Sequence, residues 1–142
     1  MSVQFTLSGE LRKLVEARLE QTLKGIEDTL NKILETEEVP AKELQENLKS
    51  LEESFNYLFQ KWNLEILYTL FLKNTAGFGG LKRILGVNSR TLSDKLKLLK
   101  EHGYLERNVD SGPPLRVEYS LTLKGKNTVL LALPLLYYSS AT

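Results

Sequence analysis

The sequence predicts a mostly helical chain with a two-stranded β wing, and three observations carry that prediction. Apolar residues recur at helical spacing through most of the first hundred positions. Two of the short helical patterns are joined by three or four residues that include a glycine, the spacing at which two helices cross in a helix-turn-helix. After Gly103 the period falls from 3.6 to 2 over two short runs separated by DSGPP.

The composition bounds what such a chain can do. Its 142 residues suffice for one domain, or a small domain plus an extension, and 42% hydrophobic with 26% charged residues is ordinary for a globular protein. There is no cysteine, which excludes disulfides, thiolate metal sites and thiol-based sensing. The opening MSVQFTLSGELRK has no apolar run of signal-peptide length, and nothing approaches the roughly 18 apolar residues of a membrane span. We therefore expect a cytoplasmic protein with no membrane partner. The net charge of +1 hides an asymmetry: residues 1–60 hold 7 Lys/Arg against 12 Asp/Glu, and residues 61–142 hold 12 against 6. A basic half points to a polyanion, and the acidic half to a different partner.

Taken in order, Ser8 can cap a helix carrying Leu11, Val15, Leu19, Leu23, Ile26, Leu30 and Ile33 at intervals of four or three. Val39 and Pro40 interrupt it, since proline lacks an amide hydrogen but suits the first turn of a new helix. The second helix carries Leu44, Leu48, Leu51, Phe55, Leu58 and Trp62 as a heptad seam. The two form either an intramolecular hairpin or the interface of a homodimer, which two stripes this long favour. In KWNLEILYTLFLKN the residues Trp62, Leu64, Ile66, Leu67, Leu70 and Phe71 surround the helix, so it is buried on several sides. NTAGFGG reads as a turn, LKRIL as a short helix ended by Gly86, and Asn88 or Ser89 as the cap of a helix with Leu92, Leu96 and Leu99 inside and Gly103 as its stop. Two alternating strands follow, with Leu105, Arg107 and Val109 on one side of the first. Thr122 then caps a last helix that is too short to cross a bilayer. Three helices followed by a hairpin make a winged helix-turn-helix. We expect a helical dimerisation region at 1–60, the winged domain at 61–125, and a C-terminal helix at 126–142 that joins the dimer interface around Val129 to Tyr138.

KWNLEILYTLFLKN, FGGLKRILGVNSRTLSDKLKLLKEHGYLERNV and PPLRVEYSLTLKGK together resemble the HxlR-type winged-helix transcriptional regulators, relatives of the MarR group. The resemblance covers about 65 residues, from Lys61 to Gly125. It implies a homodimer that binds an inverted-repeat operator in double-stranded DNA, with the third helix in the major groove and the wing on the flanking backbone. The chain departs from the family in three respects. It lacks the cysteine that commonly precedes the K-W start, Gly79 and Gly80 replace a capping Ser and an acid, and its N-terminal helical extension is longer.

At 100° per residue from Leu92, the side chains of Arg90, Asp94, Lys97 and Glu101 point directly outward, flanked by Thr91, Ser93 and Leu98. Base readers belong near the helix N-terminus, so Ser89, Arg90, Thr91, Ser93 and Asp94 are the candidates, Arg90 being able to hold guanine with two hydrogen bonds. Lys82, Arg83, Lys95, Lys97, Arg107 and Arg116 are candidates for phosphates, although Arg116 could equally pair with Glu106 or Glu118. The dimer candidates are Leu11, Val15, Leu19, Leu23, Ile26, Leu30, Leu44, Leu48, Leu51 and Phe55.

Enzymatic readings do poorly. His102 falls at the end of its helix and serves as a cap. Neighbouring carboxylates at Glu37/Glu38 and Glu52/Glu53 diverge, and GKNT lacks the upstream glycine of a phosphate loop. Neither a metal nor a cofactor is indicated, and a small-molecule effector is possible but not indicated. The competing readings are a winged-helix protein-interaction module and an architectural DNA-binding protein without operator specificity.

Overall fold

The computed structural model describes residues 9–36, 38 and 40–140. Ser8, Val39 and the side chains of Leu11 and Tyr137, on which parts of the sequence reading fall, lie outside the described residues. Pro40 starts a helix as its chemistry suggests, its carbonyl accepting from Leu44 N–H at 3.0 Å. The stripes on either side of it form α1 (Gly9–Thr36) and α2 (Ala41–Leu58). They are followed by α3 (Asn63–Lys73), β1 (Thr75–Ala76), α4 (Phe78–Leu85), α5 (Ser89–Glu101), β2 (Leu105–Asp110), β3 (Arg116–Leu121) and α6 (Leu123–Ser140). No helix among the described residues is long and apolar enough to cross a membrane.

The chain divides into two units: one takes α1, α2 as far as Glu53 and α6 from Pro134, and the other runs from Ser54 to Leu133. In the first unit Leu23, Ile26, Leu30, Leu44, Leu48 and Leu51 are 50–62% exposed, while Val15 and Leu19 are half-buried.

The second unit holds the core. Ile66, Leu67 and Leu70 of α3 meet Leu81 of α4, Leu92, Leu96 and Leu99 of α5, and Leu105 at the start of the hairpin. Val129 of α6 is 3% exposed and belongs to this core, so it cannot line an interface with another chain as expected. Trp62 is not the last position of the α2 seam either. The helix ends at Leu58, and Trp62 is the N-cap of α3 with φ 79°, a left-handed backbone that costs a non-glycine residue of order 1 kcal/mol. The Glu65 carboxylate accepts from its N–H at 3.0 Å and fixes the turn.

The segment 74–80 is not simply a turn. Thr75 and Ala76 pair antiparallel with Ser120 and Tyr119, so the sheet has three strands in the order β1-β3-β2. The short helix starts at Phe78, three residues earlier than predicted, and takes Gly79 and Gly80 into its first turn. In the wing, β2 and β3 run in register from Leu105↔Leu121 to Asp110↔Arg116. The alternation expected for β2 buries only Leu105; Arg107 and Val109 on the same side are exposed, because the core ends at the base of the hairpin.

Three glycines in helices fall into two opposite roles. A Cβ on Gly79 or Gly80 meets nothing within 4 Å, whereas one on Gly125, in the first turn of α6, would overlap the Tyr104 carbonyl oxygen. Gly79→Ala and Gly80→Ala are expected to stabilise the fold by about 0.5–1 kcal/mol each through the lower entropy of the unfolded chain. Gly125→Ala is expected to destabilise it by about 1–3 kcal/mol or more, since backbone must move. Urea unfolding of the three variants checks both signs.

Candidate nucleic-acid interface

The geometry of α5 follows from its two ends. Gly86 closes α4 in the left-handed conformation, its N–H donating to Lys82 O at 2.9 Å, and two residues later Asn88 caps α5. The Asn88 side-chain oxygen accepts from Thr91 N–H at 2.8 Å. Ser89 is therefore the first helical residue, with a hydroxyl that the cap does not use. At the other end Gly103, at φ 80°, donates to Lys100 O at 3.0 Å, and Tyr104 N–H reaches back to Leu99 O at 2.9 Å, which is the Schellman pattern.

Between these ends the helix has two distinct faces. Leu92, Leu96 and Leu99 are buried, while Ser89, Arg90, Ser93, Asp94 and Lys97 are exposed. Thr91 and Lys95 are half-buried at the boundary. Lys95 Nζ donates to Gln60 Oε1 at 3.0 Å, which ties α5 to the turn before α3. Lys82 and Arg83 stand exposed on α4.

The hairpin carries Arg107 and Arg116 against Glu106, Asp110 and Glu118, all exposed. The register sets Arg116 opposite Asp110. The wing is thus not a positive surface, and any attraction to a polyanion there comes from its two arginines individually.

Beneath the end of α5 lies a junction that local sequence patterns missed. The Tyr57 ring stacks on His102 at 4.2 Å between centroids and on Tyr104 at 5.9 Å. His102 lies at the helix terminus as expected, its ring Nδ1 2.8 Å from Leu98 O. Lys124 Nζ sits 4.4 Å from the Tyr104 ring centroid and donates to His102 O at 2.9 Å. Among the described residues no group of three His, Cys, Asp or Glu side chains could hold a metal ion.

Residues 57–136 match the family model described as HxlR-like helix-turn-helix. The chain is 40% identical over 68 residues to YdzF, an HTH-type transcriptional regulator of Bacillus subtilis, a match covering 47% of this chain and 62% of that one. With sll1512 of Synechocystis, named in the same way, it shares 36% identity over 78 residues, 54% of this chain and 58% of that one. The chain thus spans about three-fifths of these two relatives. Among solved structures it is similar to a regulator of the MarR family from Enterococcus faecalis V583, with 31% identity, a TM-score of 0.57 and coverage of 65% and 83%. It is also similar to diamide-treated YodB from B. subtilis, with 27% identity, a TM-score of 0.53 and coverage of 63% and 87%.

The junction under α5 can be tested without any ligand. The Tyr57 hydroxyl is buried with no hydrogen-bond partner, and burial, helped by Tyr104 and Glu101, pushes its pKa from 10.0 up to about 12. A folded-state value above the unfolded one confers stability that is complete below pH 10 and is lost as pH rises towards about 12. Tyr57→Phe should remove this part of the alkaline decline and raise stability at neutral pH by up to about 1 kcal/mol, because an unbonded hydroxyl is deleted while the ring stack stays. Unfolding titrations at several pH values measure both; an unchanged alkaline slope would contradict the assignment.

Proposed function

The chain belongs to the HxlR-like helix-turn-helix family, and from that premise we propose that it is a cytoplasmic transcriptional regulator that binds specific sites in double-stranded DNA as a homodimer. The observation that carries this reading is the exposed row of Ser89, Arg90, Ser93, Asp94 and Lys97 opposite the buried leucines of a capped helix. In the major groove Arg90 holds a guanine through two hydrogen bonds, the hydroxyls of Ser89, Thr91 and Ser93 reach bases or phosphates, and Asp94 accepts from cytosine. Lys82, Arg83, Lys97, Arg107 and Arg116 contact phosphates, and Lys95 does so if it leaves Gln60. The partner copy docks on the seams of α1 and α2, with the exposed end of α6 beside them, and sets two copies of α5 about 34 Å apart in successive grooves. One observation favours the alternative, a protein-interaction module: the hairpin has more acids than bases.

Gel-shift titrations decide between them. With three or four phosphate contacts per half, affinity should fall on the order of a thousandfold between about 50 and 200 mM salt. Arg90→Ala should cost about 1–3 kcal/mol on the specific site and flatten preference at one base pair per half-site, whereas Lys97→Ala should weaken all sequences alike and lower the salt slope. Both side chains are exposed, so the fold should survive either change. If no duplex binds at about 50 mM salt, a condition under which phosphate contacts act strongly, the interaction-module reading takes over.

Diamide and peroxide should leave DNA affinity unchanged, since the chain has no cysteine and its one methionine is Met1. Gel shifts with and without oxidant test this, and a reversible loss of binding would contradict it.

A further inference from the structure

One cation of α5 differs from the rest. Among the described residues Lys82, Arg83, Arg90, Lys97 and Lys100 make no side-chain hydrogen bond, whereas Lys95 Nζ donates to Gln60 Oε1 at 3.0 Å. The place of Lys95 on the helix explains this. At about 100° per residue Lys97 stands about 20° around α5 from Arg90, but Lys95 stands about 140° away, close to the side of Leu92 and Leu99. Its stem therefore runs along the edge of the core, half-buried, and carries the ammonium out to whatever polar group lies at that edge. The turn before α3 supplies that group.

Gln60 is held in place by its own backbone. Its N–H donates to Tyr57 O at 3.3 Å, and its carbonyl accepts from Asn63 N–H at 3.2 Å. Asn63, 1% exposed, adds a bond from Nδ2 to Tyr57 O at 2.8 Å. Tyr57 in turn stacks on His102 at the end of α5. The acceptor is thus fixed relative to α5 in the free protein. The bond to Lys95 is exposed and its acceptor is uncharged. A phosphate oxygen is charged, and neutralising it releases counterions, so a phosphate within reach outcompetes the carboxamide.

We propose that Gln60 is a positioning residue that lowers the affinity of α5 for DNA: it holds Lys95 in the free protein, and in the complex the ammonium exchanges the Gln60 carboxamide for a phosphate. This rests on the DNA-binding reading and adds to it a residue outside the helix-turn-helix that opposes binding. The bond lost from the free protein offsets part of what the phosphate contact contributes. Removing the acceptor therefore tightens binding, whereas removing a structural support would weaken it.

The test is fluorescence-anisotropy titration of the full chain with a mixed-sequence duplex spanning two successive major grooves, over a series of salt concentrations. An operator is not needed, because the contact is to phosphate. The variants are Gln60→Met, which keeps the length of the side chain without its carboxamide, Lys95→Ala, and the two combined. Neither residue belongs to the core of the winged unit, so thermal unfolding should show each variant folded. Gln60→Met is expected to tighten binding about two- to tenfold per copy, the span of one ordinary hydrogen bond, with no change in the slope of log affinity against log salt. Lys95→Ala is expected to lower that slope by about 0.9 per copy, and the double variant to bind as Lys95→Ala does. Weaker or unchanged binding by Gln60→Met overturns the proposal, as does an equal gain in the Lys95→Ala background or a Lys95→Ala slope equal to that of the parent. A steeper slope for Gln60→Met overturns the exchange, since Lys95 would then have stayed on Gln60 in the parent complex. A parent that binds no duplex at low salt overturns the DNA-binding reading as well, whereas a parent that binds while the variants depart from this pattern overturns the role of Gln60 alone.

Discussion

The winged unit depends on the packing of three chain segments at Gly103 and Tyr104, where α5 ends and the hairpin begins. Thr122 Oγ1 donates to Gly103 O at 2.6 Å, and Thr122 N–H donates to Tyr104 O at 3.1 Å. The same hydroxyl accepts from Gly125 N–H at 3.1 Å and so caps α6. One side chain thus closes the hairpin, anchors the end of α5 and starts the last helix. The absent Cβ of Gly125 is what lets α6 come this close, and Lys124 adds a bond to His102 O and a cation over the Tyr104 ring. A rotation of α5 about its axis would have to break these contacts together.

With its C-terminal end held in this way, the outward face of α5 is fixed by burial on its inner side. Leu92 and Leu99 are fully buried, so the exposed row beginning at Arg90 has one orientation relative to the sheet. Lys95 sits at the edge of the row with its ammonium bound to Gln60. That exposed hydrogen bond to an uncharged acceptor holds the side chain weakly compared with an ion pair in a low-dielectric setting. The charge near α5 therefore has two components, cations standing in water and one cation in reserve.

Much of this was legible in the chain itself. The leucines of α5 and its glycine stop appear in sequence because each reflects a local rule, helical period at 92, 96 and 99 and left-handed backbone at 103. Trp62 misled because its distance from Leu58 continues the α2 seam, while the backbone reversal that removes it from that helix depends on Glu65. The two residues of β1 are too few to show a period and become a strand only because β3 offers an edge. The partners of Lys95 and of His102, Gln60 and Tyr57, lie 35 and 45 residues away in sequence, beyond the reach of any local pattern. For the same reason the buried Val129 read as interface: an apolar run has no periodicity to say which side it turns inward.

The hairpin is held to the core at one end only. Leu105 is buried and Leu121 half-buried, whereas every residue from Glu106 to Arg116 is exposed. Folding places almost no demand on which side chains occupy that stretch, beyond a turn and a ladder of backbone bonds. Selection can therefore rewrite the tip repeatedly without eroding thermodynamic reserve. In lineages that share this scaffold, divergence should accumulate at the tip while the base of the wing stays constant, and new preferences in partners would evolve there first.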